Sequence, residues 1–175
     1  LLGGIDLLQI HNMAGWQAVL PCLAELRAAG RIRAVGVTHY DPASFGAIEA
    51  AIETGIPDVI QIPLNLMERN AERRLLPLAR ERGLGMLVMT PIQPLFQRGE
   101  LLRRLRGIDL APFRPYGVTD AGSLCLKYLL SKHADLVLLP ATSREERVQS
   151  NAAVSGAPAM PPDLIARLER EVGAS

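Results

Sequence analysis

The chain has 175 residues, a formal net charge of +1 and a hydrophobic fraction of 49%, enough apolar material for the core of one domain. So balanced a charge excludes a protein built around nucleic acid or an anionic membrane surface, and a 4% aromatic fraction leaves little for base stacking. No apolar run reaches the ~20 residues needed to span a bilayer.

Taken in order, "IDLLQIHN" opens with a buried strand, Ile5 to His11, whose apolar run ends abruptly on His11 and Asn12. Trp16 to Ala29 places Trp16, Val19, Leu20, Leu23 and Leu26 on one helical face, with Gly30 as the stop. "RIRAVGVTHY" reads as a short buried strand, Arg33 to Thr38. Asp41 and Pro42 then cap a helix running to about Thr54. "DVIQIP" is a third strand. Asn70 to Arg82 reads as helical with Gly83 as its stop, although Pro77 strains that reading unless regular helix begins only near Arg74.

"GMLVMTP" is a fourth strand. Gln93 to Gly117 is a long connection with one short helix at Glu100–Arg106, and it offers Phe96 and Phe113 as its only candidate pocket residues. Thr119 or Asp120 caps a helix to about Lys132, "DLVLLPAT" is a fifth strand, and Arg144–Val154 and Pro162–Val172 are helical. Cys22 and Cys125, far apart in helical patterns, read as two buried thiols rather than a disulfide or metal pair, which favours a reducing compartment. No two histidines have metal-site spacing. The first residue is Leu1 and nothing resembles a signal peptide, so the default expectation is a cytoplasmic protein, of which this chain is a piece.

Strands apolar on every residue, each followed by an amphipathic helix and with no hairpin signals, indicate a parallel sheet covered by helices. An open doubly wound sheet and part of a (β/α)8 barrel both fit. No Gly-rich dinucleotide fingerprint follows a strand, and polar residues gather where strands end: His11, Asn12, Thr38, His39, Gln61, Thr90 and Thr142. The expected fold is therefore a partial TIM barrel: five parallel βα units plus a C-terminal helix, in one domain over residues 1–175, with about three N-terminal units missing.

With these motifs in order, the chain resembles the C-terminal part of an aldo-keto reductase. "IDLLQIHN" resembles that family's fourth strand, "GRIRAVGVTHY" its fifth, "VIQIPLNL" its sixth, "RLLPLARERGLGMLVMTPI" its sixth helix and seventh strand, and "LLPATSREERVQSN" its eighth strand and following helix. The resemblance implies NAD(P)H-dependent reduction of an aldehyde or ketone, or the reverse, with NADP or NAD as cofactor and a small carbonyl compound as substrate. It implies that His11 orients and polarises the carbonyl. Thr38, His39 and Gln61 would hold the nicotinamide carboxamide, and Met89 would stand under the ring. Thr90 and Ile92 would pass the pyrophosphate, Thr142 would sit at the tip of the last strand, and Arg147 and Asn151 would meet the adenosine end.

Departures from the family pattern are His39 for asparagine, Met89 for tyrosine, and Ala141 where NADP-preferring members often carry lysine. The family's aspartate, tyrosine and lysine lie on the first three units, to which no segment of this chain corresponds, and Tyr40, Tyr116 and Tyr128 sit at no catalytic position. The chain alone is therefore expected to be inactive, and its two outer strands to be exposed edges prone to self-association. The rival reading is a non-catalytic nicotinamide-binding sensor or partner subunit. Blander roles are read for His133, a helix C-terminal residue, and for "RRLRG", a solvated or substrate-loop patch rather than a nucleic-acid contact.

Overall fold

The computed structural model describes residues 4–93 and 99–173; Phe96 lies outside them. Five strands, β1 (Ile5–Ile10), β2 (Ile32–Thr38), β3 (Val59–Pro63), β4 (Gly85–Met89) and β5 (Leu136–Leu138), form one sheet in the order β1-β2-β3-β4-β5. The helices that separate and follow them are α1 (Trp16–Ala28), α2 (Phe45–Glu53), α3 (Leu75–Glu81), α4 (Glu100–Leu105), α5 (Ala121–Lys132), α6 (Glu145–Ala153) and α7 (Pro162–Val172). The sheet is parallel: Ile5 lies opposite Ile32 and Ile10 opposite Val37, and Thr38 lies opposite Gln61 on the other side of β2. This is the alternating α/β architecture that the strand and helix periodicities dictate.

The proline and glycine positions explain the boundaries. A single 3-10 turn, Asn70–Glu72, precedes α3, so Pro77 falls in the helix's first turn, where an N–H has no intrahelical partner to lose. β5 is short because Pro140 ends the run of donors; Leu139 N still donates to Val88 O at 2.9 Å. The connection after α4 holds a second regular piece, a 3-10 segment Ala111–Tyr116, which its prolines and glycines disguise as plain loop in the sequence.

The chain divides into two compact units, one reaching to Pro63 and resuming over Asn70–Leu87, the other comprising Leu64–Arg69 and the chain from Val88 onward. In the first, Val35, Val37, Ile60 and Ile62 of the sheet are fully buried, as are Ile48 of α2 and Leu76 of α3. Arg27 of α1 donates to the Ile56 carbonyl at 2.9 Å and to Asp58 Oδ2, and the same carboxylate oxygen accepts from Val35 N at 2.8 Å. One ion pair thus ties a helix to the start of β3 and to the middle of β2.

The second unit is organised by α5, where Ser123 through Leu129 are all buried. Asp120 caps it: its carboxylate accepts from Ser123 N at 2.7 Å, and Ser123 Oγ accepts from Asp120 N at 2.9 Å. Glu169 of α7 receives Arg69 at 2.7 Å, Lys132 at 2.6 Å and the Tyr128 hydroxyl at 2.6 Å.

Two expectations are corrected. Cys125 is buried, and burial pushes its thiol up to about 12, but Cys22 lies on the exposed side of α1 with Val19, because only Leu20 and Leu23 of the expected stripe are fully buried. Phe113 is no pocket residue: it is 0% exposed and belongs to the core. Among the described residues no helix is long and apolar enough to cross a membrane, and no group of His, Cys, Asp and Glu could hold a metal.

The Glu169 cluster makes stability acid-sensitive. Burial raises the Glu169 pKa, but hydrogen bonds from Lys132, Tyr128 and Arg69 outweigh it and hold the carboxyl at about 2, against an ordinary 4.5. A depressed carboxyl stabilises the folded state fully above the unfolded value and loses that contribution as pH falls from about 4.5 through 2. Urea titrations between pH 7 and pH 2 should show this loss, on the order of 2 kcal/mol. The same acid limb should flatten in Glu169→Gln.

Candidate functional site

His11 follows β1 directly and opens a 3-10 turn, His11–Met13. Asn12 and Met13 have φ of 53° and 54°, two consecutive left-handed residues that turn the chain sharply off the strand. Asparagine tolerates that region; methionine adopts it only under constraint. The result leaves His11 exposed, with its imidazole making no hydrogen bond among the described residues. Both ring nitrogens are therefore open to an incoming ligand.

β2 and β3 place Thr38, buried, opposite Gln61. Gln61 Oε1 accepts a hydrogen bond from Gln9 Nε2 at 2.9 Å. His39 behaves differently from the amide it replaces. Its Nδ1 accepts from Asp41 N at 2.9 Å, and its Nε2 lies 3.2 Å from Ser44 Oγ. With Nδ1 accepting, Nε2 carries the proton and donates to Ser44. Both nitrogens are committed to the turn that leads into α2, and the ring stacks on Tyr40 with centroids 5.0 Å apart.

In the other unit, β4 ends on Met89, whose carbonyl accepts from Leu64 N at 3.4 Å. Thr90 follows with φ of 55°, a rare conformation for a β-branched residue. Asn65, 0% exposed, holds it there: its Nδ2 donates to Thr90 O at 3.2 Å while its Oδ1 accepts from Met67 N and Glu68 N at 3.0 and 2.9 Å. Thr90 Oγ1 is buried and has no hydrogen-bond partner.

Thr90 and Ile92 line a cavity of about 580 Å³ together with Thr142, Arg147 and Asn151. That volume lies within the range of small-molecule sites. Five expected residues from three separate segments are brought together there. Arg106 also lines it, and neither Arg106 nor Arg147 pairs with a carboxylate among the described residues. Asp120, the one carboxylate at the wall, is committed to its cap. The lining is therefore suited to an anion such as a phosphate.

α6, which carries Arg147 and Asn151, has no buried residue. It is held at its far end by Lys127 of α5. That side chain is 2% exposed and donates to Val154 O at 2.9 Å and to Ala157 O at 2.6 Å; burial lowers its pKa. Sequence reasoning missed Gln9, Asn65, Arg106 and Lys127. For Gln9 and Lys127 the signal was present as a lone polar residue inside an apolar strand and an apolar helix; Asn65 stood in the quoted "VIQIPLNL" and Arg106 in "RRLRG", without a role assigned to either.

Comparison with known proteins gives a consistent picture. A model of the aldo/keto reductase family matches residues 2–106. The NADH-specific methylglyoxal reductase of Escherichia coli (strain K12) is 32% identical over 110 residues, which is 57% of this chain and 32% of the relative. An aldo-keto reductase from Klebsiella pneumoniae, solved in complex with NADPH, superposes with a TM-score of 0.77 at 23% identity over 99% of this chain and 60% of its own. The apo form of an aldo-keto reductase from Bacillus halodurans gives 0.77 at 18% identity, over 99% and 64%. At these identities the structural likeness is one of fold. The chain spans about a third of the curated relative's length and about 60% of the solved structures'.

Asn65 offers a direct test of the cavity wall. Asn65→Ala leaves two backbone N–H groups and the Thr90 carbonyl without their partner, at a loss of about 2–4 kcal/mol in folding free energy. Chemical denaturation should show that loss as a lower midpoint at unchanged slope.

Proposed function

Because this chain belongs to the aldo/keto reductase family, we propose that it forms part of one NAD(P)H-dependent oxidoreductase domain acting on a small aldehyde or ketone. The observation that carries this is the cavity: Thr90, Ile92, Thr142, Arg147 and Asn151 line one volume with two unpaired arginines. The donor set fits the phosphate-bearing half of a nicotinamide dinucleotide, and the buried unpaired Thr90 hydroxyl lies at the same wall. The names of the relatives support the same cofactor class, one with NADPH and one with NADH.

In this reading Arg147 and Arg106 would neutralise phosphate charge and the Asn151 amide would hold the adenine. Thr38 and Gln61 would hold the carboxamide, and Met89 would offer the ring a polarizable thioether contact. His39 contributes by fixing the turn after β2, since both its nitrogens are engaged there. When bound, the reduced nicotinamide supplies a hydride. His11 supplies orientation and polarisation: its free imidazole donates a hydrogen bond to the substrate carbonyl oxygen and stabilises charge growing there.

None of the three tyrosines takes the proton-donor role: Tyr128 is buried and donates to Glu169, Tyr40 is stacked on His39, and Tyr116 ends the 3-10 segment after α4 and follows no strand. These 175 residues alone therefore bind cofactor without efficient turnover. β1 and β5 are the outer strands of the sheet and expose Ile5, Val137 and Leu139, edges through which the chain associates with further strands.

Titration calorimetry with NADPH and NADH tests the reading. Binding is expected, with Arg147→Ala weakening it about tenfold. An absence of binding to either cofactor overturns the proposal. Binding without carbonyl-dependent oxidation in the intact protein favours the sensor instead.

A further inference from the structure

We propose that Lys127 is a positioning residue for the cofactor cavity: by holding the end of α6 from α5, its ammonium sets where Arg147, Ser150 and Asn151 stand along the wall. This rests on the reading of the cavity as the phosphate and adenosine end of a dinucleotide site, and adds to it a residue that touches no ligand.

Two of the helices at the cavity are held in opposite ways. α5 supplies Ala121 and Gly122 at its capped start, and the residues that follow, Ser123 to Leu129, are all buried. α6 supplies Arg147, Ser150 and Asn151, at helical spacings that put them on one face. No residue of α6 is buried, and Val148, its largest apolar side chain, is 57% exposed. Apolar packing therefore gives this helix almost no fixed place. Its start has no side-chain cap, and the hydroxyl bonds there are local: Arg144 N donates to Thr142 Oγ1 at 3.2 Å, and Ser150 Oγ donates to Arg147 O at 3.2 Å.

The anchor lies at the other end. α6 runs into a 3-10 turn, Val154–Gly156, whose Val154 is buried. Lys127 Nζ donates to Val154 O at 2.9 Å and to Ala157 O at 2.6 Å, one carbonyl at the start of that turn and one just past it. An ammonium only donates and a carbonyl only accepts, so both bonds have a single sense. The carbonyls stand beyond the C-terminal end of the helix, where unpaired C=O groups gather and a cation is favoured. Lysine is rarely so buried unless it is paired, and these two oxygens are its partners among the described residues. A helix fixed at one end moves most at the other. Asn151 is roughly one turn from the anchor and Arg147 about 10 Å along the axis, so losing the grip displaces the arginine furthest.

Calorimetric titration of the protein with ADP-ribose, which carries the adenosine and pyrophosphate without the nicotinamide ring, tests this. Lys127→Met is similar in length and unable to donate, and it should weaken ADP-ribose about tenfold. Arg147→Ala, which weakens binding in the wild type, should cost less than about twofold in the Lys127→Met background, because a displaced arginine has no contact left to lose. Hydrogen exchange gives the structural readout: residues 145–157 should exchange faster in Lys127→Met while α5 keeps its protection. A glycine inserted between Ser155 and Gly156, both exposed, parts the two carbonyls without altering the buried side chain and should produce the same loss of affinity.

A Lys127→Met protein that binds ADP-ribose as the wild type does overturns the inference. So does an Arg147→Ala loss of equal size in both backgrounds, which would mean general weakening rather than a misplaced wall. Where Lys127→Met also strips protection from α5, the glycine insertion decides, and unchanged affinity there overturns the inference. If Arg147→Ala has no effect in the wild type, the cofactor reading of the cavity falls and this inference with it. If Arg147→Ala matters and Lys127→Met does not, the inference falls alone.

Discussion

Parallel pairing of strands in chain order is the constraint from which the other features follow. Two neighbouring parallel strands cannot be joined by a tight turn, so each connection must travel back along the sheet, and in this chain it does so as a helix. β1, β2 and β3 consequently finish on the same edge, and the turns that follow them begin there. Function-bearing side chains need only follow a strand in sequence to be delivered to that edge, which is why His11, Thr38 and Thr90 all stand at or just beyond a strand's last residue.

Once the edge is defined, individual turns are set by buried polar groups rather than by more apolar packing. Asn65 gathers two backbone N–H groups and one carbonyl from segments 25 residues apart and keeps Thr90 in a region that a β-branched residue avoids. Strain of this kind persists where surrounding contacts over-determine the backbone. Arg27 and Asp58 do comparable work between α1, β2 and β3, and Glu169 does so between α5, α7 and the segment ending at Arg69. In each case a single side chain completes several backbone or charged partners, so its loss leaves more than one group unpaired.

Much of this was legible in the sequence. The apolar runs and their helical partners mark all five strands and the seven helices, because period and punctuation are local properties. The family resemblance also assigned Thr90, Ile92, Thr142, Arg147 and Asn151 to one cofactor, and all five line the same cavity. The illegible parts are long-range or depend on exposure. Gln9 acquires its meaning from Gln61, 52 residues away, and nothing in "IDLLQI" announces that partner. Cys22 shares a helix with buried leucines, yet rotation about the helix axis decides that it faces outward. His39 invited comparison with an amide at the same place, whereas Asp41 and Ser44, two and five residues on, claim both its nitrogens.

The attachment of α6 has a consequence for the order in which parts of the molecule open. A helix without a buried residue releases almost no apolar surface when it melts, so its opening carries little heat capacity and is nearly insensitive to denaturant. α5, with seven consecutive residues buried, can unfold only by exposing the interior around it. Lys127 joins the two where its ammonium grips the chain just past α6. Amide deuteration should therefore sweep through residues 145–153 by local fluctuation and halt at that grip, well before it reaches the amides of α5.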